Sequence, residues 1–374
     1  RIVTTTSNDT VNIKSDVRGV DNGSASVESL LIDVDTGNNN GGTIKIAGDI
    51  TTSDAGALKT VTLKGKDAVY LGGTITTAHN AAANNIDIDS DDVFLTANTT
   101  LNTSANNGSI DISGKVNSDT GLTKDLTLKA KGGAITIHGI IGGTDNIGNL
   151  NINKDYDDGI GKITLNGVGA SNKIGITGTV DVGHTGTASM DLAGSYYNID
   201  GNTIFMTAST AEVIDIKATQ TIKTASGHSL EFSGGGVALD DGVDLTIDGG
   251  GTVTMTAITA NSAENVDISG TTVTTAAIGD GNEIHTVKLS GSTAVKLGGD
   301  IVTGNTALNF VDINGPVILL GNTSIDTSAE SGLIDFDGKI DSNTGQTYNL
   351  TLKAKGGAIS VGGIIGSTDN IGVL

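Results

Sequence analysis

Residues 91–150 recur as residues 315–374, aligned without a gap and identical at 36 of 60 positions, so the chain carries a long internal repeat at an offset of 224. The clearest stretch reads Leu126-Thr-Leu-Lys-Ala-Lys-Gly-Gly-Ala-Ile135 in the first copy and Leu350-Thr-Leu-Lys-Ala-Lys-Gly-Gly-Ala-Ile359 in the second. A chain that repeats itself on this scale is a modular array, in which each module packs mainly on its neighbours. Upstream, Val61-Thr-Leu-Lys-Gly and Ala68-Val-Tyr-Leu-Gly-Gly answer Val287-Lys-Leu-Ser-Gly and Ala294-Val-Lys-Leu-Gly-Gly at an offset of 226. The repeat therefore covers 61–150 and 287–374, with loops whose lengths vary between copies. Leu374 matches Leu150, which opens the alternation Leu150-Asn-Ile-Asn, so the segment is expected to be cut from a longer array.

The period of the apolar residues says what the module is. Ile86 and Ile88, Ile110 and Ile112, Leu126 and Leu128, Ile163 and Leu165, Ile214 and Ile216, Leu245 and Ile247, Val311 and Ile313, and Leu350 and Leu352 all alternate with polar residues. Period two marks strands with one buried face. With 36% hydrophobic residues in this pattern the chain is not disordered, despite its net charge of −21. Aromatic residues make up only 3%, so the core is aliphatic, as narrow stacked coils require.

Asn85-Ile-Asp-Ile-Asp, Val93-Phe-Leu-Thr-Ala and Thr100-Leu-Asn-Thr, then a loop through Asn106-Asn-Gly, read as the three strands of one coil, and the pattern restarts at Ser109-Ile-Asp-Ile-Ser. Restarts at Ile86, Ile110, Leu126, Leu150, Met190, Ile214, Leu230, Leu245, Val266, Val287, Val311, Ile334 and Leu350 are separated by short, uneven steps, as loops of variable length require. These predict an all-β parallel β-helix (β-solenoid) of about 16 short coils, one continuous rod over 1–374 and roughly 75–80 Å long at the strand spacing. Hairpins are disfavoured: Asn107-Gly108, Asp200-Gly201 and Asp241-Gly242 are suitable turns, but most turns are single glycines or longer polar stretches. No long helix is visible; Thr207 to Thr219 comes nearest, and Val213-Ile-Asp-Ile-Lys within it alternates like a strand. The one proline, Pro316, falls at the start of a strand, where its missing N–H is tolerated.

Composition also excludes functions. The absence of cysteine removes disulfides, thiol catalysis and cysteine-based metal sites. No apolar stretch approaches the roughly 18 residues of a membrane span, and no leader opens the chain at Arg1, so targeting is expected to lie outside this segment or to have been removed. Lys and Arg total 21 against 42 acidic residues, with the only arginines at Arg1 and Arg18. Such a chain repels nucleic acid, whose phosphates need a basic face.

The runs Leu126-Thr-Leu-Lys-Ala-Lys-Gly-Gly-Ala-Ile-Thr-Ile and Gly161-Lys-Ile-Thr-Leu-Asn-Gly resemble the repeat regions of filamentous-haemagglutinin-type adhesins and related autotransporter passengers. The resemblance spans nearly the whole chain and consists of pattern and composition, with no catalytic motif to carry over. It implies a right-handed parallel β-helix on a bacterial surface, with extracellular export. The partners it suggests are another subunit end to end, a continuation of the chain, or a host-cell or polysaccharide surface.

Acidic groups form the densest polar constellations: Asp33 and Asp35; Asp87, Asp89, Asp91 and Asp92; Asp155, Asp157 and Asp158; Asp240, Asp241 and Asp244. Calcium takes about six to eight such oxygens, making Asp33, Asp35, Asp87, Asp89, Asp155, Asp157 and Asp158 the calcium candidates. None fits the twelve-residue calcium loop or the glycine-rich nonapeptide, and a solvated acidic surface explains them more simply. The histidines, His79, His138, His184, His228 and His285, show no zinc spacing, and His138 becomes Gly362 in the second copy. An enzyme on this fold would be a polysaccharide lyase or hydrolase using carboxylates, with Lys129, Lys131, Lys353 or Lys355 as the cation. Asp87 and Asp89 project to one face, yet any Asp-rich strand does so, and the reading is non-enzymatic. Tyr196-Tyr197 is the one adjacent aromatic pair, so with no Trp a carbohydrate-stacking cleft has little material, and strand geometry turns one of the two inward.

This assignment of faces has a direct test. Leu128→Asp, or Leu352→Asp in the second copy, places an unpaired charge in the core at a cost of several kcal/mol and breaks a coil. Unchanged thermal unfolding of Leu128→Asp would refute the facing.

Overall fold

The computed structural model describes residues 2–3, 9–19, 28–34, 41–52, 58–78, 84–154, 161–183, 187–208, 212–279, 284–304 and 309–374. They form a parallel β-solenoid. Two compact units divide the chain, one of residues 1–201 and 206–209, the other of 202–205 and 210–374. Among the described residues the only helical element is the 3-10 turn Ser104–Asn106, and no helix is long and apolar enough to cross a membrane.

One turn of the first unit shows the plan. Strands Asn85–Asp89, Asp92–Leu95 and Thr99–Asn102 lie on three successive faces, and after the 3-10 turn the next coil begins at Ile110–Ile112. On those faces Ile86 lies beside Ile110, Val93 beside Val116 and Leu101 beside Leu128, each paired with its successor one coil on. The three-strand coil expected from the sequence is therefore present. The second unit has the same plan: Leu245–Asp248, Thr252–Met255 and Ile258–Ala260 occupy its three faces.

In-register stacking places like on like. On one face of the first unit Val61, Ile86, Ile110, Ile135, Ile163 and Met190 form one inward row, and Leu63, Ile88, Ile112, Ile137, Leu165 and Leu192 the next. All are buried, and each contributes roughly 1.5–3 kcal/mol by leaving water. In the second unit Leu245, Val266, Val287, Val311 and Ile334 do the same. Gln220 precedes Leu245 in that row, 2% exposed, with neither side-chain amide atom hydrogen-bonded.

The strands stack in about 12 turns, fewer than the about 16 coils read from the sequence. The excess comes from counting two faces of one coil as two coils. Ile110 stacks between Ile86 and Ile135, whereas Leu126, counted as the next restart, stacks between Thr99 and Leu150 on another face. Leu230 and Leu245 divide in the same way, pairing with Val253 and Val266.

The inward assignments hold except at Leu352. Leu126, Leu128, Ala130 and Ile135 are buried, and Tyr197 is buried while Tyr196 faces out. Leu352, beside Ile325 on the last turn of the chain, is half-buried. Pro316 directly precedes the strand Val317–Leu319, and its carbonyl accepts the Val295 N–H at 2.8 Å.

Crowded corners account for many of the described glycines. A Cβ on Gly139 would lie 2.3 Å from the Gly114 carbonyl carbon and oxygen; one on its repeat counterpart Gly363 would lie 2.4 Å from those of Gly338. The repeat thus copies backbone geometry, φ values included. Asn107 and Ser331 have φ of 53° and 62°, Lys131 and Lys355 of 51° and 52°, and Gly142 and Gly366 of 68° and 69°.

Two glycines of the second unit separate crowding from composition. A Cβ on Gly338 would meet the Gly315 carbonyl oxygen at 2.1 Å, while one on Gly321 meets nothing within 4 Å, at a backbone angle any residue adopts. Gly338→Ala is expected to cost about 1–3 kcal/mol or more, and Gly321→Ala to be neutral or stabilising by up to about 1 kcal/mol. Denaturant midpoints of the two variants check this.

Candidate functional site

The outward side chains are the only groups the coil leaves free for chemistry, and they stack in rows as the inward ones do. On the first unit one row runs Thr62, Asp87, Asp111, Thr136, Thr164, Asp191. The row beside it places Lys64 between Asp33 and Asp89. Stacking thus brings Asp87 and Asp111 together, one strand spacing of about 4.8 Å apart. The His138 Nε2 lies 2.9 Å from Asp111 Oδ1, and Lys162 Nζ lies 2.6 Å from Asp191 Oδ2. Of the other calcium candidates, Asp35, Asp155, Asp157 and Asp158 lie outside the described residues. So do His79 and His184 among the histidines.

Burial, and behind it the charges of Asp111 and Asp89, push the Asp87 carboxyl above its ordinary value; Lys64 opposes them. The second unit repeats the arrangement. Asp312 stacks on Asp335, between Lys288 and Ser360. Burial raises Asp312, and the charges of Asp335 and Asp337 add to it, against a hydrogen bond from Asn314 and the charge of Lys288. Among the described residues no group of three or more His, Cys, Asp or Glu is placed to hold a metal ion.

Many Asn and Asp side chains instead serve the coil. Asn98 Oδ1 accepts the Asp125 N–H at 3.1 Å, Asp125 Oδ1 that of Asn149 at 2.7 Å, and Asn149 Oδ1 that of Thr179 at 2.8 Å. Each residue thereby caps the start of a strand one turn on. In the second unit Asp244 Oδ1 accepts from Asn265 N, and Asn322 Oδ1 from Asn349 N. Sequence reasoning took such residues for solvated surface and missed their bonds to the backbone. Its signal was an Asn or Asp just before successive strands, as at Asn98, Asp125 and Asn149.

The repeat exchanges chemistry while keeping this role. Asn117 Oδ1 accepts the N–H groups of Thr144 and Asp145 at 2.9 and 3.2 Å. Its counterpart Asp341 accepts the Thr368 N–H at 2.9 Å and pairs with Lys339 at 2.9 Å. Burial alone would raise the Asp341 carboxyl, but the Thr368 N–H and Lys339 outweigh it and hold it at about 2. The lysines weighed as catalytic cations have structural places as well. Lys353 lies 3.4 Å from Asp326, and Lys131 and Lys355 turn left-handed corners.

Compared with protein-family profiles, curated proteins and solved structures, the chain matches none.

These carboxylates give opposite pH slopes. Asp341, depressed in the fold, contributes stability above the ordinary carboxylate range and loses it as pH falls towards 2. Asp87, raised in the fold, binds its proton more tightly when folded, so its contribution is present at low pH and is lost as pH rises through its raised value. Asp87→Asn is therefore expected to gain up to about 1 kcal/mol at pH 7, the scale of a like-charge cross-strand contact, and nothing at pH 3. Urea unfolding at both pH values measures the difference.

Proposed function

We propose that the chain is a structural and adhesive segment of a large extracellular bacterial surface filament or adhesin, serving reach, stiffness and surface presentation. The observation that carries this reading is what the repeat keeps. The copies preserve the corner glycines, the left-handed turns and the backbone acceptors, Asn117 being replaced by Asp341 in the same role, while the half-exposed His138 becomes Gly362. Duplication of this kind multiplies scaffold and not a reaction centre.

The alternative is a β-helix polysaccharide lyase or hydrolase, favoured by the raised Asp87 beside Asp111. The matching pair Asp312 and Asp335 weighs against it, because the stacking generates such pairs wherever acidic strands meet.

Electron microscopy of the purified chain, with and without calcium, is the test. Thin rods that lengthen by end-to-end stacking are expected, and compact globules would overturn the proposal. Release of sugar ends from a polysaccharide, lost in Asp87→Asn, would establish the alternative.

A further inference from the structure

One corner of the first unit departs from the regular coil. Three successive turns, between the faces that carry Ile137 and Ile141, Leu165 and Val168, and Leu192 and Tyr197, leave an open groove of about 390 Å³. Its floor is bare backbone for a steric reason. A Cβ on Gly194 would lie 2.4 Å from the Asn166 carbonyl and from Gly167 Cα, and Gly167 itself has φ +120°. No side chain can fill the floor without parting the turns.

The walls are of two kinds. Ile140 and Tyr196 are apolar and 40% and 42% exposed, Tyr196 being the exposed aromatic ring among the described residues. Its outward direction is fixed by its neighbour: the buried Tyr197 hydroxyl donates to the Leu165 carbonyl at 2.7 Å and accepts the Gly194 N–H at 3.2 Å. Opposite stand polar groups held in place. The His138 Nε2 stands 2.9 Å from Asp111 Oδ1, and the Asn166 Nδ2 donates to the His138 carbonyl at 2.7 Å. The solenoid does not demand the imidazole, since the second copy has Gly362 in place of His138.

We propose that this groove is a binding subsite for a neutral hexopyranose unit of a glycan. The ring of Tyr196, with Ile140 beside it, covers the C–H face of the sugar. The glycine floor lets hydroxyls approach peptide groups, and the imidazole Nδ1 and the Asn166 amide supply side-chain hydrogen bonds. Asp111 and the net charge of −21 turn away uronic and sulfated sugars. This inference goes beyond the filament reading and stands whether or not the chain polymerises.

The experiment titrates maltohexaose, cellohexaose and chitohexaose into the full chain, followed by saturation-transfer NMR, with heparin and polygalacturonate as acidic comparisons. Saturable binding of at least one neutral hexaose is expected, with a dissociation constant below ~10 mM. Tyr196→Ala is expected to weaken it about tenfold, the scale of one aromatic contact. His138→Gly installs the residue the second copy already carries, so it is expected to fold normally and to weaken binding by a smaller factor. Tyr70→Ala, on another face, is expected to leave binding unchanged. Failure of all three hexaoses to saturate overturns the proposal. So does tighter binding of the acidic polymers, or binding unaffected by both Tyr196→Ala and His138→Gly in chains with unchanged thermal unfolding. Whether the chain forms rods does not enter any of these outcomes.

Discussion

The distance from one hydrogen-bonded parallel strand to the next, about 4.8 Å, is the constraint on which the rest of this structure depends. Once each turn must lie that close over the one before, identical or similar side chains come into columns, inside and out. The aliphatic rows from Val61 to Met190 and from Leu245 to Ile334 follow, and so do the stacked acids Asp87 and Asp111. At the corners the same closeness leaves no space for a Cβ, which is why Gly139 sits over Gly114 and Gly363 over Gly338. The Asn and Asp ladders answer a related need. Where a strand begins, its first N–H has no regular ladder partner, and an acceptor from the turn below supplies one.

The inward positions were legible from the sequence because period two is a property of each strand alone. Ile86, Ile88, Leu126 and Leu128 are buried as their alternation requires, and the three-strand coil through Asn85, Val93 and Thr100 is the one observed. Which face a strand occupies is a property of the whole coil. Leu126 and Ile110 have the same local pattern, and only their partners show that they belong to different faces of one turn. The polar roles were hidden for a similar reason. Asp125, which caps Asn149, differs locally from Asp87, which faces outward and stacks on Asp111, only in standing just before its strand. Gln220 reads as an ordinary polar strand residue and is in fact buried without partners.

The groove beside Tyr196 has to be read against this regularity. Most outward chemistry here is a by-product of stacking, as the recurrence of the Asp87–Asp111 arrangement at Asp312–Asp335 shows. His138, Asn166 and Tyr196 come together at a corner and owe nothing to an in-register row. A scaffold that multiplies its surface by repetition acquires specificity only where one copy differs from the other.

The narrow range of intervals between stacked residues also bears on how such a chain folds. Leu245 meets Val266 across one of the shorter coils, and Ile32 meets Leu63 across one half as long again. The entropic difference in closing those two loops is only about 0.3 kcal/mol. Each new turn is therefore nearly as easy to add as any other, however many already stand. Contact distance along the chain is set by the girth of the coil and not by the length of the protein, so adding whole turns extends the chain without making any single contact slower to find.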